Sequence, residues 1–353
     1  MANYLESIPS TMKGIQLVGH GGLDQLVLNQ QIDTPIPCAS DVLIKVGAAG
    51  VNNTDLNTRI GWYSKNDNDS EDASWAGTAL KLPLIQGADV CGVVVAVGER
   101  ADKQLLGKRV LIEPSLWEVD GKKLQHAWYF GSECNGGFAE YAKVSAKHAH
   151  VIECDLTDEE LASFPCSYST AENLLTRAKV KPGDRVLITG ASGGVGSAAI
   201  QLAKARGAGV VAITSGSKAE GIRNIGADLV VDREQSLVET LGENSVDVVI
   251  DLVAGEVWPQ LLEVMKPFGR YAVSGAIGGP MVQLDVRTLY LKDLSFFGCT
   301  VLEPEVFPNL IKRIEAGDIK PLVDKVYPLE EIHEAQTQFA TKKHIGKIVL
   351  KIS

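Results

Sequence analysis

Two short stretches carry residue types that do chemistry. In "GADVCG", residues 87–92, a carboxylate, Asp89, stands two places before a thiol, Cys91, and alternate residues of a strand face the same side. Such a pair belongs either to a metal site or to a strand that is merely polar, and nothing else in the stretch joins them as ligands. In "RVLITGASGGVGSAAIQLAKARGA", Gly193 and Gly196 fit the second and third glycines of a dinucleotide fingerprint, with Ala191 at the first and Gly194 and Val195 within the turn. Gly193 lets the backbone approach a pyrophosphate, Gly196 lets a helix pack on the preceding strand, and the helix N-terminus favours negative charge.

The next strand end indicates which nucleotide is bound. NAD binders usually place an acid about twenty residues after the turn to hold the ribose 2′-hydroxyl. Here "ITSGSK" offers Ser215, Ser217 and Lys218 instead, and Arg233 follows in "VVDRE". Small hydroxyls with cations suit a 2′-phosphate, so NADPH is the expected cofactor. The alternative for Lys218 and Arg233 is ordinary surface charge.

These stretches must be held by larger elements. A chain of 353 residues is longer than one core usually serves, which predicts two domains. Residues before about 160 form short β-branched runs broken by Gly, Pro and Asn, such as "DVLIKVGAAGV" and "CGVVVAVG", and predict a compact β-rich unit. After that, strand and helix patterns alternate from "DRVLITG" to "LSFFGCTV", which predicts a doubly wound parallel sheet. Residues 64–78 are polar and acidic and read as a long exposed loop in which Asp67, Asp69 and Glu71 are solvated.

Composition excludes several classes. A net charge of −10 opposes a nucleic-acid partner, which needs a basic face. No segment is long and apolar enough to cross a bilayer, and the first residues lack the basic-then-apolar pattern of a leader. The six cysteines are scattered without a CxxC pair, as expected of reduced thiols in a cytoplasmic protein. The histidines, His126, His148, His150, His333 and His344 among them, show no relay spacing.

Taken in order, "GAAGVNNTD", "GADVCGVVVAVG", "GGFAEYAKV", "GASGGVGSAAIQLAKA", "KPFGRYAVSGA" and "GKIVLKI" make the chain resemble the medium-chain dehydrogenase/reductase superfamily over nearly its whole length. The resemblance implies a GroES-like catalytic domain, residues 1–160 and 301–353, and a Rossmann NADP-binding domain, residues 161–300, with a cleft between them where nicotinamide meets substrate. In zinc alcohol dehydrogenases of the superfamily a Cys stands where Asn52 stands, a His-Glu pair where Ala88 and Asp89 stand, and a Cys at Cys166. Only that cysteine survives, and the region after Glu113 has one cysteine, Cys134, where a structural zinc would need four.

The chain therefore resembles the zinc-independent quinone oxidoreductase branch, which implies hydride transfer from NADPH to quinones or α,β-unsaturated carbonyls and no bound metal. Asn52 and Tyr63 are the candidate donors to the substrate oxygen, and Arg59 the customary basic residue, or else the partner of an internal acid such as Asp55. Thr170, the "SGAIGG" segment with Gly275, Ala276 and Ile277, and Lys347 are implied on the cofactor side. The loop after Tyr63 is expected as a lid, with Trp62 or Trp75. A homodimer is expected through the edge strand "LSFFGCTV". Two rival readings are a zinc alcohol dehydrogenase with atypical ligands and an NADPH-binding regulatory protein with little catalysis.

Overall fold

The change of sequence period near residue 160 marks a change of architecture. A computed structural model describes residues 8–64, 74–77 and 79–353. The chain divides into two compact units, one of residues 1–166, 321–343 and 347–353, the other of residues 167–320 and 344–346.

The first unit is built on a seven-stranded sheet. Its central strand, Asp41–Val51, is buried at nearly every position, which is why it reads as an almost unbroken apolar run. Asp89–Val97 pairs with it antiparallel on one side and the C-terminal strand Lys347–Lys351 on the other. Arg109–Ile112 and Ala149–Val151 extend one flank, Val323–Pro328 the other. Val42, Ile44, Val90, Val94, Ile348 and Leu350 share the core with a smaller sheet centred on Thr11–Leu17.

Register does the positioning. Ile348 faces Val51 and Gly50 faces Asp89, so the same pairings, continued by one residue, set Lys347 opposite Asn52. Cross-strand partners and alternate residues share a face, which puts Lys347, Asn52 and Asp89 together at one end of the sheet.

The second unit is a doubly wound sheet of six parallel strands in the order Leu229–Asp232, Gly209–Thr214, Arg185–Ile188, Val246–Asp251, Met265–Val273 and Ser295–Gly298. Strand order reverses between Arg185–Ile188 and Val246–Asp251, the position where such sheets bind ligands. The segment from 301 does not return at once to the first unit. Asn173 holds Val301 and Glu303, and Glu172 faces Arg313 of helix Val306–Ala316 at 4.0 Å, so that helix stays in the second unit and the return begins at 321. Among the described residues no helix is long and apolar enough to cross a membrane.

Candidate active site

Asp89 is fully buried, and burial of a carboxylate demands donors for both oxygens. Oδ1 accepts the backbone N–H of Cys166. Oδ2 accepts the Asn52 amide at 2.8 Å and the Lys347 ammonium at 2.7 Å. Lys347 also donates to Asn52 Oδ1 at 2.5 Å. All three side chains are at least 95% removed from water, at 0, 5 and 2% exposure for Asp89, Asn52 and Lys347. Gly50 permits this approach, because a Cβ there would lie 2.6 Å from Asp89 Oδ2 and from the Ala162 carbonyl.

Cys91 takes no part in the cluster. Its thiol faces Asp158 at 3.5 Å, and burial together with that acid pushes it well above the ordinary thiol range. Cys166, by contrast, lies beside the cluster. Burial, then the Asp89 charge, pushes its thiol up to about 12, and its sulfur accepts the Tyr129 hydroxyl at 2.9 Å. Tyr129, Ala88 and Trp75 close around that sulfur, with the Trp75 and Tyr129 rings 5.1 Å apart. A catalytic zinc ion needs three firm protein donors, drawn from thiolate, imidazole and carboxylate. Here the acid is met by an ammonium and the amide is engaged at both ends, so as arranged the set does not offer zinc three free donors.

Asn52 begins helix Asn53–Arg59, and its N–H donates to Asp55 Oδ2 at 2.7 Å. Burial raises the Asp55 carboxyl to about 7, against the lowering effect of its hydrogen bond from Asn52 and of nearby Lys347. Arg59 does not hold Asp55. Its Nε reaches Gln336 at 3.1 Å and its Nη1 the Gly21 carbonyl at 2.5 Å, bonds that pin helix Asn53–Arg59 to helix Ile332–Ala340 and to the chain before Leu23. Tyr63 sits at the half-buried end of the same segment, its hydroxyl 3.2 Å from Thr54 Oγ1, and burial raises its phenol above the usual value. Thr54 was not singled out by sequence, because a hydroxyl in a helix gives no pattern. Trp62 packs edge-on against Tyr63 and is exposed. The expected lid falls largely on residues 65–73 and 78, which lie outside the described residues; Trp75 belongs to the cluster around Cys166.

In the second unit, helix Gly194–Ala205 begins directly after the glycine turn. A Cβ on Gly196 would meet the Gly190 carbonyl at 2.3 Å and Ala191 Cα at 2.7 Å, so the helix packs as the fingerprint requires. A Cβ on Gly193 would meet only the Gly190 carbonyl, at 3.6 Å, so this face is open where a pyrophosphate would approach. The first N–H groups of the helix have no intrahelical acceptor and suit an anion. The residues thus fit a dinucleotide.

Lys218 donates to Ser192 Oγ and to the His344 carbonyl, both at 3.0 Å, and so lies against the turn. Ser215 and Ser217 are 3.2 Å apart at the end of Gly209–Thr214. Arg233 is exposed, with Nε 3.1 Å from its neighbour Glu234. Asp251 is a residue that sequence reading missed. Fully buried at the end of its strand, it takes Thr189 Oγ1 at 2.6 Å, Tyr271 Oη at 2.7 Å and the N–H groups of Val253 and Ala254, and so fixes the 252–255 turn beside the glycine turn. Gly275 packs on that turn, its Cβ position 2.8 Å from the Leu252 carbonyl; Ala276 is half-buried and Ile277 exposed. Thr170 is half-buried on helix Pro165–Arg177. Lys347, expected near the cofactor, has its ammonium in the cluster of the first unit.

Residues 39–154 match the family described as alcohol dehydrogenase GroES-like domain, and residues 194–316 that described as zinc-binding dehydrogenase. Human quinone oxidoreductase is 30% identical over 337 residues, 92% of each chain. The NADPH-dependent alkenal/one oxidoreductase of Arabidopsis thaliana chloroplasts is 31% identical over 98% of this chain and 80% of its own. A solved structure from Sinorhizobium meliloti 1021, described as a candidate alcohol dehydrogenase, is 44% identical with a TM-score of 0.90, covering 99% of this chain and 98% of its own. With its GroES-like and Rossmann domains, the chain belongs to the medium-chain dehydrogenase/reductase superfamily, in the quinone oxidoreductase-like branch, and is an oxidoreductase.

Proposed function

We propose that the protein is an NADPH-dependent reductase of α,β-unsaturated carbonyls or quinones that works without zinc. The observation that carries this reading is the cluster at Asp89: the carboxylate is met by the Lys347 ammonium at 2.7 Å, and Cys166 is the one customary zinc-ligand position that keeps its residue. When bound, the nicotinamide supplies the hydride. The chain supplies everything else. Gly193 and the helix N-terminus receive the pyrophosphate, and Ser215, Ser217, Lys218 and Arg233 receive the 2′-phosphate.

Negative charge develops on the substrate oxygen as hydride arrives, and a preorganised donor must meet it. Tyr63, whose hydroxyl lies by Thr54 and whose phenol burial keeps protonated, takes that role ahead of Asn52, whose amide is committed to Asp89. Arg59 supports this segment from behind through Gln336 and Gly21. A homodimer through the outer strand Ser295–Gly298, where Phe296 is partly exposed, is part of the proposal.

The test is NADPH oxidation over a panel of quinones, enones and aldehydes with a strong chelator present. Chelator-insensitive turnover of enones or quinones supports the reading; turnover confined to aldehydes, with alcohol-dependent reduction of NADP in the reverse assay, both abolished by chelation, contradicts it. The 44% identity to a candidate alcohol dehydrogenase favours that second reading, zinc-dependent alcohol oxidation, which would require Lys347 to leave the cluster and Cys166 to ionise.

A further inference from the structure

We propose that the Lys347 ammonium is a resident cation of the catalytic domain: it fills the place a metal would take among Asn52, Asp89 and Cys166, keeps divalent ions out, and fixes the orientation of the Asn52 amide. The inference rests on the zinc-free reading above and deepens it by naming what replaces the metal.

The geometry requires a positive group at this point. Asp89 has no access to water, and an ionised carboxylate in that setting persists only with charged or multiple donors. It has both, namely the Cys166 N–H on one oxygen and the Asn52 amide with the Lys347 ammonium on the other. Lys347 reaches the site because its strand is the immediate neighbour of the one ending at Asn52, with Ile348 against Val51. The cation is therefore supplied by the fold at fixed stoichiometry and needs no uptake. An ion entering the cluster would have to displace an ammonium that holds two buried partners at 2.5 and 2.7 Å.

The same contacts decide which end of the Asn52 amide points where. Lys347 can only donate, so it selects the Asn52 oxygen, and the amide nitrogen then turns to Asp89. Lys347 is thus a positioning residue rather than a catalytic one.

The test compares metal uptake by the untagged wild type with Lys347→Ala and Lys347→Gln, the latter retaining a donor without the charge in case the alanine variant does not fold. Each is incubated with zinc sulfate, desalted and analysed for zinc, then loaded with cobalt and examined for thiolate-to-cobalt charge-transfer absorption. The expected result is a wild type near zero and folded Lys347 variants near one zinc per chain, with a cobalt–thiolate band that disappears on adding Cys166→Ser. Wild-type uptake of about one zinc per chain with that band would overturn the inference, as would a folded Lys347→Gln protein that takes up no metal. NADPH turnover of enones by the wild type is measured separately. Its absence would sink the reductase reading while leaving the metal result standing, and its presence with metal-free variants would do the reverse.

Discussion

The two chemical centres of this chain are finished to different degrees. In the catalytic domain Asn52, Asp89 and Lys347 are turned on one another, and the Asp89 carboxylate and Lys347 ammonium are each other's partner. At the glycine turn of the Rossmann domain the reverse holds: Gly193 has open space beside it and the first helix N–H groups face outward without intrahelical acceptors. A self-satisfied cluster is a scaffold, and an open set of donors is a binding site. The first domain thus positions groups, whereas the second presents donors suited to an anion.

The contrast breaks most sharply at Lys347. Lys347→Met leaves Asp89 charged, buried and unpaired, and should lower stability by about 3–5 kcal/mol in urea unfolding, while Lys347→Met with Asp89→Asn should recover most of that loss. If the double variant is no better than the single, charge pairing is not what Lys347 contributes.

The next effect is a pH dependence from the same cluster. Burial holds Asp55 at about 7, above its unfolded value, so the folded state binds the extra proton between about 4 and about 7. Stability should therefore fall as pH rises through that window, on the order of 4 kcal/mol from this group, and Asp55→Asn should flatten the slope. A slope unchanged by the substitution would place the titration elsewhere.

At the Rossmann end the effects should fall on ligand affinity instead. Lys218→Ala should weaken NADPH relative to NADH by about 1–3 kcal/mol, measured by fluorescence titration of both nucleotides, and equal loss for the two would refute the 2′-phosphate assignment. Gly193→Ala should leave the melting temperature unchanged, since its Cβ has room, yet reduce nucleotide affinity about tenfold, near 1.4 kcal/mol. A Gly193→Ala protein that melts early would mean the open face is structural.

These centres also differ in how well the sequence discloses them. The glycine turn is contiguous, so strand, Gly193, Gly196 and helix stand in one line of text, and the alternation of strands and helices around it is equally local. The Asp89 cluster joins residues 295 and 258 positions apart, and only the return of the C-terminal strand to Asp41–Val51 brings Lys347 to Asn52 and Asp89. In the sequence Asp89 reads either as a metal ligand or as part of a merely polar strand, and nothing local shows what neutralises it. The partner of Arg59 is hidden for a similar reason, since Gln336, and not Asp55, takes its Nε from 277 residues away. Asp251 escaped notice because an acid ending a buried strand carries no spacing signal, although it fixes the turn beside the cofactor loop.

The most direct measurement is the zinc-to-protein ratio of the chain purified without chelators or a metal-binding tag. A ratio near zero is predicted, with Lys347 as the only cation at Asp89. A ratio near one per chain, lost on Cys166→Ser, would mean that the cluster opens for a metal, and it would contradict the account.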